Sequence, residues 1–163
     1  MAFPFTFAEG YKLIAATPQG AENDNGGITF RSISLRYAHK VWFVALFQQV
    51  VGHATVVQLD GGATVATATN AITFATRWWL NTNIATNDTL VEQTAATAQT
   101  LNAGATDQML VVEIDPADLM TQNGTYDCLG GGIAATGQDN YVGAFWVVAP
   151  RYQQATPPSM VVD

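Results

Sequence analysis

The chain has 163 residues, 48% of them hydrophobic but only 12% charged, against a usual charged share of roughly 25% in globular domains. Its length fits one domain with a proper core, and its hydrophobic content excludes a disordered chain. A net charge of −7 with six scattered Lys and Arg argues against nucleic-acid binding, and a single cysteine, Cys128, excludes an internal disulfide framework.

Residues 1–10 read as an N-terminal arm in which Phe3, Phe5 and Phe7 alternate and Pro4 cannot donate to a ladder. An apolar arm of this kind needs a groove to lie in. Residues 11–150 read as one β-sandwich domain, beginning with a strand from Tyr11 to Ala16 and a breaker-rich loop from Thr17 to Gly27. Ile28 to Tyr37 is a strand whose apolar phase changes midway, Ile28 and Phe30 on one side and Ile33 and Leu35 on the other, which predicts a bulge or a change of sheet. After a corner near Ala38-His39 comes Lys40 to Gln48, apolar on both faces: Val41, Phe43, Ala45 and Phe47 against Trp42, Val44 and Leu46. A sandwich strand buries one face only, so the second face calls for cover from a chain terminus or a neighbouring subunit.

His53 to Leu59 is the next strand, ended by the turn signal Asp60-Gly61-Gly62, and Ala63 to Thr69 reads as an edge or connection. Ile72 to Leu80 alternates cleanly, with Ile72, Phe74, Trp78 and Leu80 inward and Thr73, Arg77 and Trp79 outward. An outward Trp beside an Arg is a candidate contact patch. Thr89 to Thr94 gives a short strand and 95–107 a connection of low charge. Gln108 to Ile114 is strongly β, and Asp115-Pro116-Ala117-Asp118 then supplies an N-cap, a first-turn Pro and an acid for one turn of helix. Tyr126 to Leu129 is extended before a Gly130–Gly132 turn. Tyr141 to Ala149 is the last core strand, again apolar on both faces, and 151–163 form an extended tail whose removal is expected to leave a folded core. Eight or nine strands at short spacing predict an all-β fold, a jelly-roll-like β-sandwich first and an immunoglobulin-like one second, the latter without its Cys pair.

Candidate chemistry is thin. His39 and His53 have no second ligand at metal spacing. Asp115, Asp118 and Asp127 lack the spacing of an EF-hand, and Gly130 to Gly137 lacks the Lys-Ser/Thr ending of a phosphate loop. Ser32, Ser34 and Ser159 have no nucleophile motif. Asn87 and Asn123 begin glycosylation-type triplets, but MAFPFTFAEG is not a secretory signal and no apolar run approaches a membrane span. The sequence predicts a soluble, cytoplasmically made protein that is not an enzyme and takes no cofactor or metal. Its two-sided strands, low charge and terminal arms point instead to self-association.

Three stretches carry a family resemblance: Asp115-Pro-Ala-Asp-Leu119, Tyr126-Asp-Cys128, and Arg151-Tyr-Gln-Gln-Ala-Thr-Pro-Pro-Ser159. Together they resemble a family of small virion proteins of tailed bacteriophages, the capsid decoration or cement proteins. The resemblance implies a jelly-roll-like sandwich on the outer surface of an icosahedral shell, clasping neighbouring major capsid subunits, with a homotrimer favoured over a dimer and no contact with nucleic acid or membrane. The residues expected to make subunit or capsid contacts are Phe3, Phe5, Phe7, Trp42, Trp79, Arg151, Tyr152, Pro157 and Pro158. Two other readings remain open: a carbohydrate- or host-surface-binding sandwich with Trp78, Trp79 and Tyr37 as stacking rings, and a tail-tube or fibre subunit.

Overall fold

Period-two alternation of apolar residues makes strands over most of the chain. The computed structural model describes residues 10–18, 24–49, 53–101, 104, 106–137, 139–152 and 158–161. Among these lie β1 (Lys12–Ala15), β2 (Ile28–Ser34), β3 (Ala38–Gln48), β4 (Thr55–Gly62), β5 (Asn70–Ala71), β6 (Arg77–Asn81), β7 (Val91–Glu92), β8 (Ala98–Leu101), β9 (Asp107–Ile114), β10 (Cys128–Ile133) and β11 (Tyr141–Pro150). A 3-10 turn covers Val65–Thr67, and α1 covers Pro116–Gln122. The strands form an all-β sandwich of two antiparallel sheets. One has the order β1-β11-β3-β9-β6-β7; the other runs β2-β10-β4, with β5 and β8 both pairing on β4. Taking β4 with β5 and β6 with β7, the chain changes sheet at every step.

The core lies between the sheets. Phe43 on β3 is directly opposite Trp146 on β11, with ring centroids 4.9 Å apart, and Phe30 of the second sheet closes on Phe43 at 4.7 Å. Trp146 is fully buried, and its indole N–H donates to the Arg31 carbonyl of β2 at 2.8 Å, a polar bond from one sheet to the other. The phase change in β2 is a bulge: its register on β10 shifts between Leu129 and Gly131, so that Arg31 and Ser32 together oppose a single residue.

Several expectations are corrected. Asp60-Gly61-Gly62 does not end a strand but continues β4, and Gly130–Gly132 lies inside β10, which pairs with β4 along this stretch. The glycines are there because other chain passes at contact distance. A Cβ on Gly62 would sit 2.3 Å from the Thr67 carbonyl of the 3-10 turn, and Gly131, at φ +151°, would meet the Gln58 carbonyl at 2.4 Å. The 3-10 turn itself replaces the edge expected over Ala63–Thr69. Strand β8 lies in what reads as a connection; only Gln99 and Leu101 of its four residues are buried, too little apolar pattern to announce an edge strand. The helix starts where its caps dictate, with the Asp115 carboxylate accepting from the Ala117 N–H at 2.9 Å.

The described end of the tail is not a free arm. Met160 is buried in the core, its carbonyl accepts from Ser34 N–H of β2 at 2.6 Å, and the Pro158 carbonyl accepts from the Lys12 ammonium of β1. Residues 158–161 therefore strap the open side of the sandwich between the edge strands β1 and β2. At another point the loop before β2 is fastened to the loop before β11 by Asp24. This fully buried carboxylate accepts from Thr55 Oγ1 (3.2 Å), Thr136 Oγ1 (3.0 Å), Asn140 N–H (3.2 Å) and Asn140 Nδ2 (3.2 Å).

Asp24→Ala strands these donors in the interior and is expected to cost about 3 kcal/mol in urea unfolding. Removing 151–163 takes Met160 out of the core, so the truncated chain is expected to fold with reduced stability. The single change Met160→Ala is expected to cost about 3 kcal/mol by the same measurement.

Candidate functional site

Alternation on the central strands of the larger sheet sends one set of side chains into the core and the other to the outer face. On β3 the inner set is Val41, Phe43, Ala45 and Phe47, all buried; the outer set is Lys40, Trp42, Val44, Leu46 and Gln48. Register then assembles the outer face in rows. Leu13, Val147, Trp42, Glu113 and Arg77 form one row across β1, β11, β3, β9 and β6. Ala15, Phe145, Val44, Val111 and Trp79 form the next. Gly143, Leu46 and Met109 follow, then Tyr141, Gln48 and Asp107. The middle of this face is apolar across several strands, and Leu13, Leu46 and Tyr141 are each more than two-fifths exposed (58%, 42% and 52%).

Polar groups stand at both ends, Gln48 and Asp107 at one and a cluster around Glu113 at the other. The Glu113 carboxylate accepts from Lys40 Nζ at 3.0 Å and from Trp42 Nε1 at 3.1 Å, and Arg77 Nη1 stands 3.9 Å away. Arg77 also pairs with Glu92 at 3.0 Å and lies over the Trp79 ring, 5.0 Å from its centroid. Tyr11 packs edge-on against Trp42 with centroids 6.2 Å apart. Burial alone would raise the Glu113 carboxyl, but the hydrogen bonds from Lys40 and Trp42, with the charges of Lys40 and Arg77, outweigh it and hold the group below the usual carboxylate range.

Of the residues expected to make contacts, the structure brings Trp42 and Trp79 onto this one face, in adjacent rows. Arg151 lies elsewhere, its N–H donating to the Tyr37 carbonyl at 2.8 Å and its Nε to the Ala38 carbonyl at 2.9 Å; Tyr152 beside it is exposed. Pro158 belongs to the strap. Phe3, Phe5, Phe7 and Pro157 lie outside the described residues. The face also holds residues not named among the expected contacts: Leu13, Leu46, Tyr141, Gly143 and Phe145. For all but Leu13, which lies on the edge strand β1, the signal was the apolar second face of β3 and β11.

Trp78 and Trp79 point to opposite faces of β6, with Trp78 buried and its N–H donating to the Thr94 carbonyl at 2.8 Å. The stacking platform of Trp78, Trp79 and Tyr37 is thus not assembled. The acids considered for calcium are otherwise engaged: Asp115 caps α1, and Asp127 pairs with Arg36 at 3.3 Å. Among the described residues no three His, Cys, Asp or Glu gather in a metal-binding group. Cys128 is buried. The Asn-x-Thr triplets are local turns: Asn87 Oδ1 accepts from Thr89 N–H at 2.8 Å and Asn123 Oδ1 from Thr125 N–H at 3.2 Å. No helix among the described residues is long and apolar enough to cross a membrane. No family model matches the chain, nor does any curated protein or any solved structure.

Because the Glu113 carboxyl titrates lower in the folded chain than its reference value of 4.5, its contribution is present above that pH and is lost as pH falls through the folded value. Asp60 works in the opposite sense, burial raising its carboxyl, so the comparison with Glu113→Gln isolates Glu113. In urea unfolding, the wild type is expected to lose stability below about pH 4.5 more steeply than the variant. Parallel profiles would remove Glu113 from the account.

Proposed function

We propose that the protein is a structural virion component that decorates and cements an icosahedral phage capsid. It acts on the outer capsid surface as a homo-oligomer, a trimer in preference to a dimer, bridging neighbouring major capsid subunits. The observation that carries this reading is the outer face of the six-stranded sheet: wide, apolar at its centre, nearly uncharged away from the Glu113 cluster, and built on the two most deeply paired strands of the fold. A surface of that composition suits a stable protein partner better than a small polar ligand. Strand order supports the same reading. With β5, β6 and β7 set aside, the orders β1-β11-β3-β9 and β2-β10-β4-β8 are those of a double-sheet jelly roll, the architecture implied for such capsid proteins. Many copies on one shell would turn modest single contacts into firm attachment.

The test places charge on the face where side chains are already exposed. Leu46→Lys combined with Tyr141→Lys is expected to leave the melting temperature nearly unchanged, since neither residue is in the core. Binding to undecorated shells, followed by mass photometry, is expected to weaken by roughly a hundredfold for two buried contact residues lost to charge. A variant that decorates shells as the wild type does would show that this face is not the attachment surface.

A further inference from the structure

The end of the sandwich where β2 passes into β3 holds a hollow, apart from the outer face of the larger sheet. The Leu35 N–H donates to the Asp127 carbonyl at 2.7 Å and the Ala38 N–H to the Leu35 carbonyl at 2.8 Å, so Leu35–Ala38 turns the chain tightly from one sheet to the other. The Arg151 N–H bond to the Tyr37 carbonyl brings the end of β11 against this turn. Helix α1 adds Pro116 and Met120, four residues apart and so on one helix face. Leu35, Arg36, Pro116, Met120, Asp127 and Arg151 together line about 200 Å³.

The lining is apolar in part, with Leu35 and Pro116 buried and Met120 half exposed. Its polar groups are two of the chain's four arginines and one carboxylate. Asp127 Oδ2 accepts from Arg36 Nε and Nη2, both at 3.3 Å, and Oδ1 accepts from the Cys128 thiol at 3.3 Å. Arg151 donates from Nε to the Ala38 carbonyl. Arg36 Nη1 and both terminal nitrogens of Arg151 are left without a partner among the described residues. Asp115, beside Pro116, is engaged in capping α1 and does not line the hollow. Two guanidiniums against one carboxylate leave one positive charge over, in a chain of net charge −7.

We propose that this hollow seats the carboxylate of one Asp or Glu side chain from a protein partner, presented between apolar neighbours. The planar guanidinium fork matches a carboxylate and binds it through charge-assisted hydrogen bonds. The volume falls below the roughly 300 Å³ at which pockets for whole drug-sized ligands begin, so it suits a single side chain. The surroundings suit a protein surface: Tyr37 and Tyr152, each next in sequence to one of the arginines, are exposed, as is Met120. Arg, Tyr and Met are the residue types enriched where proteins meet. The inference goes beyond capsid attachment and stands without it, since none of the lining residues belongs to the rows of the outer face.

The experiment follows the Arg36 and Arg151 Nε–H signals by NMR in the full chain. The probes are acetyl-Leu-Glu-Leu-amide, whose blocked ends leave one carboxylate, and the matching peptide with Gln in place of Glu. Both arginine signals are expected to shift along one saturating curve with the Glu peptide, and the Gln peptide is expected to bind roughly tenfold more weakly or worse. The variant Arg36→Gln loses only an exposed ion pair, so its melting temperature is expected to stay near that of the wild type. Its affinity for the Glu peptide is expected to fall to that of the Gln peptide. Equal binding of the two peptides, no response to either, or undiminished binding by Arg36→Gln would overturn the proposal. Benzoate, a carboxylate on a small apolar body, is the third probe. Saturation by benzoate at lower concentration than by the Glu peptide would assign the hollow to a small carboxylic acid and likewise overturn it. No measurement involves capsid shells, so failure here and failure of the attachment reading are read separately.

Discussion

The sandwich depends on one bond and three rings at its centre. Trp146 N–H reaches from the larger sheet to the Arg31 carbonyl of the smaller one, while the rings of Phe30, Phe43 and Trp146 pack at a tilt between them at centroid distances of 4.7 and 4.9 Å. An unpaired indole N–H in a dry core is costly, so the bond fixes where β2 must lie relative to β11. The bulge in β2 belongs to the same arrangement. It interrupts the ladder with β10 at Arg31 and Ser32, where the Arg31 carbonyl turns to the indole. With that spacing set, every alternate residue of β3, β9 and β11 goes inward, and the opposite set is left facing outward.

The two sheets solve the problem of their outer faces differently. On the smaller sheet, glycines in β4 and β10 thin the surface until the 3-10 turn and its neighbour Ala68 lie directly on the backbone. At Gly62 and Gly130 that face is covered by the chain that follows β4 in sequence. On the larger sheet the outward residues are Val44, Leu46, Val111, Phe145 and Val147, with only Gly143 leaving a gap. No charge is buried among them; the charged groups stand at the two ends of the face, Asp107 at one and, at the other, Glu113 with Lys40, Trp42 and Arg77. The result is one face thinned to backbone at its glycines and one face of larger apolar side chains. Between the edge strands, Met160 fills the open side of the core, which keeps the β1 and β2 ends from parting.

Much of this was legible in the residues. Alternation located β3, β9 and β11, and the two-sided pattern of Lys40–Gln48 and Tyr141–Ala149 already signalled an apolar outer face. The mid-strand phase change of Ile28–Leu35 announced the bulge, and Asp115-Pro116 announced the helix start. Local signals failed where a residue's purpose was set by something distant in sequence. Asp60-Gly61-Gly62 and Gly130–Gly132 look like turns because glycine is usually a turn residue; here they answer to the chain lying on them. Strand β8 was hidden because an edge strand needs few apolar residues. Asp24 gave no sign of its burial, since its partners Thr55, Thr136 and Asn140 come from three other parts of the chain.

What the sequence determined by itself was therefore the class and the material of the fold: an all-β domain of low charge, rich in strands apolar on both sides. Backbone alternation and side-chain size act locally, and both are written residue by residue. What only the tertiary structure decided was which of two apolar sides became core, and how register gathered Trp42, Val44, Leu46, Phe145 and Val147 into one surface with a gap at Gly143. Those outcomes depend on pairing between residues more than a hundred positions apart in the chain, and no local pattern specifies such a pairing.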